Sequence, residues 1–167
     1  MKARLAGIIV ALHALLFPTA ALVQQRVVGD DLLVENAWTR AAGELGGAAE
    51  VYFTLRNTSE RTIDLIGVRA DVASIETLHK IGTDTTGAPR MSAIPELRVE
   101  PGASVTLEPG GLHVMLIDLE RSLVEGNTLS LRLTFYDGDD LTIEVPILGA
   151  GATGPQDTAG AGTAPSD

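Results

Sequence analysis

Three histidines and three methionines are the whole supply of imidazole and thioether in this sequence, and cysteine is absent. Met1 and His13 fall in an N-terminal segment that reads as a removable address. The rest, His79, Met91, His113 and Met115, sit together in one window. Imidazole and thioether are the donors that suit Cu(I), a soft ion content with tetrahedral nitrogen and sulfur surroundings. His113 and Met115 stand two apart on an expected strand, so both side chains leave the same face, while Leu112, Val114 and Leu116 form the opposite face and can pack inward. Taken singly, each of the four has a plainer explanation. A lone histidine on an apolar face is usually satisfied by a hydrogen bond, and methionine commonly fills core gaps. Their joint confinement, in a chain without a thiol, is what favours a metal centre.

The elements that must position these residues lie between two flanks. Met1-Lys2-Ala3-Arg4, the apolar run Leu5 to Phe17 and the small residues after Pro18 follow the order of a secretory signal, expected over 1–21. The apolar run is too short for a spanning helix, which needs roughly 20 residues. At the other end, 149–167 is rich in Gly, Ala, Thr and Pro without apolar periodicity, and is expected to be a disordered tail. The domain is expected over 30–148.

Within it the dominant period is two. Leu129, Leu131, Leu133 and Phe135 alternate with polar residues, and so do Leu141, Ile143, Val145 and Ile147. Val51, Phe53 and Leu55 alternate with Tyr52, Thr54 and Arg56, which puts the second set on the water side. Turn chemistry separates these runs at Pro101-Gly102, Pro109-Gly110-Gly111, Gly126-Asn127 and Asp137-Gly138. The class is all-β, an antiparallel sandwich or barrel. The less regular stretch 71–90 holds a strand over Ile75 to Ile81 and a polar tip at Gly82 to Gly87. Ala41 to Gly47 is a further Gly-rich loop. Either loop is a place where a site could sit.

A formal net charge of −10 over 167 residues, with few and scattered Lys and Arg, argues against nucleic-acid partners and against a polybasic grip on lipid. The missing cysteine removes disulfides, thiolate metal sites and a lipid anchor on that residue. Neither a Ser-His-Asp order, nor a phosphate loop, nor a cofactor fingerprint supports an enzyme. Trp38, the single tryptophan, reads as a packing aromatic. Asp118 and Glu120 are candidates to orient the His113 ring. The alternative to a metal carrier is a β-sandwich adhesion or assembly module with an incidental His/Met cluster.

The spacing of the four residues resembles that of the periplasmic Cu(I) chaperones called PCuAC. Their signature is His, an optional Met, ten residues, Met, twenty-one residues, then His-x-Met. Here His79 is followed by Lys80, ten residues to Met91, twenty-one to His113, and Val114-Met115. Asn36 to Arg40, Ala49 to Leu55 and Glu108 to Leu116 are also similar to the family. Lys80 stands where the optional Met would be and points to the other strand face, so it is not counted as a ligand. The resemblance implies a cupredoxin-like β-sandwich. It also implies Cu(I) held by His79, Met91, His113 and Met115, in the periplasm. Delivery would be to the copper centre of cytochrome c oxidase, directly or beside a second chaperone.

Overall fold

The computed structural model describes residues 26–28 and 31–155. The expected signal segment lies outside them, as does the tail from residue 156. Among the described residues the regular structure is entirely β: β1 (Arg26–Val28), β2 (Leu32–Arg40), β3 (Ala48–Asn57), β4 (Ile63–Ala70), β5 (Ala73–Thr83), β6 (Pro89–Ile94), β7 (Leu97–Val99), β8 (Ser104–Leu107), β9 (Leu112–Leu119), β10 (Thr128–Phe135) and β11 (Leu141–Leu148).

The strands run in the order β6-β5-β9-β3-β2-β11-β10-β4-β7, with β1 added to β2 and β8 to β3. Every pairing between these strands is antiparallel except β2 with β11, where Ile147 and Leu148 lie beside Thr39 and Arg40. That short parallel seam joins two layers. One is β6-β5-β9-β3-β2, the other β11-β10-β4-β7. A single buried cluster takes Val51, Phe53, Leu55, Val114 and Leu116 from the first layer, and Leu65, Leu129, Leu131, Leu133 and Val145 from the second. The arrangement is a cupredoxin-like β-sandwich, held by the period-two alternation of its strands.

Position 36 breaks the alternation with consequences for function. Asn36 has φ 56°, and the β2–β3 register shifts between Glu35 and Trp38. Asn tolerates this left-handed conformation better than most residues. The bulge reverses the phase of the strand. Leu32 and Val34 face the core before it, and Ala37 does so after it. Trp38 and Arg40 are thereby turned to the outer face, where Trp38 lies opposite Tyr52.

Two expectations need correction. The ordered chain does not end at 148: the amide of Ala152 donates to the Gly149 carbonyl, and Ala152 is buried with Trp38, Tyr52 and Leu148 in a second, smaller apolar cluster. At the front, β1 precedes residue 30 and pairs with β2 from Arg26 opposite Glu35 to Val28 opposite Leu33.

Candidate metal centre

The four candidate residues lie on strands β5, β6 and β9 and in neither of the Gly-rich and polar loops. β5 pairs with β9 so that His79 lies directly opposite His113, and Thr77 opposite Met115. On the other edge of β5, Ile81 lies opposite Met91 of β6. Cross-strand partners share a face, and residues two apart on one strand do too. His79, Met91, His113 and Met115 therefore all project from the outer face of the first layer. The inner face of the same strands carries Leu78, Val114 and Leu116, all buried in the core.

The two rings meet edge to face, with centroids 5.7 Å apart and planes at 85°. His113 is only 1 % exposed although it faces away from the main core. Its Nδ1 lies 3.1 Å from the Gly111 carbonyl oxygen. A carbonyl can only accept, so Nδ1 carries a proton, and in the neutral ring Nε2 is the atom left with a lone pair. That Nε2 is buried without a hydrogen-bond partner, and so is Nδ1 of His79. The other nitrogen of His79, Nε2, is 3.1 Å from the Thr77 hydroxyl. Buried polar atoms are nearly always paired, so two orphaned imidazole nitrogens on facing rings call for a ligand. The His79 pKa is lowered, first by burial and then by the neighbouring His113, which favours the neutral ring that a metal needs.

The two methionines flank this pair from opposite ends: Met115 on β9 is level with Thr77, and Met91 on β6 is level with Ile81. Met115 is partly buried on β9, and Met91 is 43 % exposed on β6. Among the described residues no group of three or more His, Cys, Asp or Glu is placed to hold a metal ion. The four sequence-predicted residues bring imidazole and thioether to this face. Lys80 is exposed and projects from the opposite face to His79.

A carboxylate does approach the rings, but not one expected from the sequence. Asp118 and Glu120 accept hydrogen bonds from the Ser74 hydroxyl, at 2.9 and 3.2 Å. Glu50 on β3, opposite Met115, brings Oε1 to 3.8 Å from His113 Nε2, beyond hydrogen-bond reach. Its other oxygen, Oε2, accepts from the Tyr52 hydroxyl. Tyr52 is fully buried rather than facing water. Trp38 packs on it with ring centroids 4.7 Å apart, and Arg40 donates to its hydroxyl from Nη1 at 3.0 Å. Burial, and then the hydrogen bond and charge of Glu50, push the Tyr52 phenol up to about 12. Arg40 is itself anchored by Nε donating to the Ala152 carbonyl at 2.7 Å, and lies 5.1 and 5.5 Å from the Trp38 and Tyr52 ring centroids. The signal that could have found Glu50 is its alternation with Val51 and Phe53, which assigns it to the His113 face once β3 is paired with β9.

Residues 32–147 match a family described as "Putative lipoprotein LpqE-like". The chain belongs to the LpqE-like family. Within it, the "Putative lipoprotein Lxx21020" of Leifsonia xyli subsp. xyli (strain CTCB07) is 31 % identical over 118 residues, which span 71 % of this LpqE-like chain and 70 % of that relative. Solved PCuAC domains share the fold. The apo PmoF2 PCuAC domain is 26 % identical with a TM-score of 0.62, over 77 % of this chain and 98 % of that domain. The copper-bound PmoF2 domain is 23 % identical with a TM-score of 0.64, over 75 % and 98 %. The Cu(I) form of DR1885 from Deinococcus radiodurans is 29 % identical with a TM-score of 0.56, over 68 % and 75 %. The likeness to PCuAC read from the residue spacing thus extends to the fold of this LpqE-like chain.

Proposed function

We propose that this protein is a carrier of Cu(I) in the cell envelope, binding one ion between His79 Nδ1, His113 Nε2 and the sulfurs of Met91 and Met115. The observation that carries the reading is the pair of buried, unpartnered imidazole nitrogens on facing rings, with thioethers on the same sheet face. All four donors are neutral, so the loaded centre keeps only the charge of the ion. That suits Cu(I) better than zinc, which prefers thiolate, imidazole or carboxylate. The name of a solved relative, the Cu(I) form of DR1885, and the lipoprotein description of the family support both cargo and location.

The role is transfer rather than catalysis. Weakly basic thioethers at the margin, one of them well exposed, let a receiving protein replace donors one at a time. The recipient we propose is the copper centre of cytochrome c oxidase, reached directly or through a second copper chaperone. Titration of the purified protein with Cu(I) against a competing chelator is expected to give one ion per chain, with nitrogen and sulfur scatterers in X-ray absorption. A spectrum with nitrogen and oxygen donors alone would remove both methionines from the centre.

Single substitutions separate donor from filler. Met91→Ala and Met115→Ala are each expected to weaken Cu(I) binding by roughly tenfold while leaving the thermal midpoint nearly in place. Neither side chain belongs to the buried core, so no large cavity penalty arises. Unfolding of Met115→Ala would identify that residue as packing material instead.

A further inference from the structure

The centre has a carboxylate beside it with one oxygen engaged by a phenol, and among the described residues it does not form a metal-holding group with the two imidazoles. Glu50 Oε1 stands 3.8 Å from the bare Nε2 of His113, while Oε2 accepts from Tyr52. The phenol is sealed from water under Trp38, and its oxygen is further fixed by Arg40, whose own position is set by the Ala152 carbonyl and two aromatic faces. Were the carboxylate free to turn, it would join the two imidazoles in a set of two histidines and one carboxylate. That is a donor set for a divalent ion such as zinc.

We propose that Tyr52, backed by Arg40, keeps the Glu50 carboxylate out of the metal centre and so makes the centre selective for a monovalent over a divalent cation. The inference rests on the reading of the site as a Cu(I) centre and adds the residues that set its preference. Tyr52 and Arg40 are positioning residues that act through Glu50. A carboxylate added to a neutral donor set contributes a charge–charge attraction that is about twice as strong for a divalent ion as for a monovalent one at equal distance.

The test compares Cu(I) and Zn(II) affinities by chelator competition on the intact protein. Tyr52→Phe is expected to lower the ratio of Cu(I) to Zn(II) affinity by about tenfold or more. Glu50→Gln introduced on top of Tyr52→Phe should bring the ratio back toward the wild-type value, which a merely structural effect of the lost hydroxyl would not do. Arg40→Gln provides a second route, removing the guanidinium hydrogen bond that fixes the phenol oxygen and moving the ratio in the same direction. A wild-type chain that takes up no Cu(I) overturns both this inference and the function above. A wild type that binds Cu(I), with a ratio within twofold of its own in Tyr52→Phe and Arg40→Gln, overturns this inference alone.

Discussion

Replacing His113 by Ala is expected to cost about a hundredfold in Cu(I) affinity. Groups that merely orient a metal ligand are worth about 10- to 100-fold, and an enclosed imidazole ligand should reach the upper end of that range, above the weakly basic thioethers at the exposed margin. His113 is the most enclosed of the four donors, and its Nδ1 bond to the Gly111 carbonyl aims Nε2 at the face it shares with His79. No nearby group can replace it: Glu50 is held by Tyr52, and Lys80 is on the other face. The substitution opens space on the outer face rather than in the core between the layers, so the sandwich should persist. Chelator competition measures the affinity, and a thermal melt of the same sample checks the fold. Affinity within threefold of wild type would exclude His113 from the centre.

The second large effect is on pH. A proton and Cu(I) compete for the same nitrogen lone pair, so affinity should fall as pH drops from about 7 to 5. The slope reaches tenfold per unit for each ring that must lose a proton, and thus up to about a hundredfold per unit for two. His79 is held below the ordinary value near 6.5, mainly by burial and next by His113. Its share of the decline therefore begins below that value. The same shift acts on the metal-free fold. As pH falls from about 6.5 through the lower folded value, the unfolded chain takes up the proton first, so stability is lost in that window and recovered above it. Replacing both histidines by methionine should flatten the binding slope without abolishing binding, because thioethers do not titrate. A pH-independent affinity over this range would show that the imidazoles are not ligands.

The strands were legible because their burial alternates residue by residue, as in Leu129, Leu131, Leu133 and Phe135. The shared face of His113 and Met115 followed from the same period. What one sequence does not carry is the pairing between strands distant in the chain. Only the β5–β9 register sets His79 opposite His113, and only the β3–β9 register brings Glu50 to that face. Asp118 and Glu120 were closer in sequence to His113 but belong to Ser74. Tyr52 looked solvent-facing because alternation treats a sheet as having one wet side. The bulge at Asn36 rotates Trp38 and Arg40 over it, and Ala152 closes the cover from beyond the last strand. A one-residue phase change has no compositional signature, so the second apolar cluster was out of reach.

The place of β6 at the end of the strand order sets a timetable for the centre. Among the described residues β6 is hydrogen-bonded on one side only, to β5, and all of its residues but Ile94 are exposed, whereas β9 lies between β5 and β3. Opening of an edge strand uncovers little apolar surface and breaks few backbone bonds, so it is among the least costly local fluctuations available to the sheet. Amide hydrogen exchange should accordingly be slowest on β9, intermediate on β5 and fastest on β6. One thioether thus rides on the quickest segment and both imidazoles on slower ones. If the proposed four-residue centre holds, the lifetime of its full donor set is governed by the fraying of six residues, not by unfolding of the sandwich.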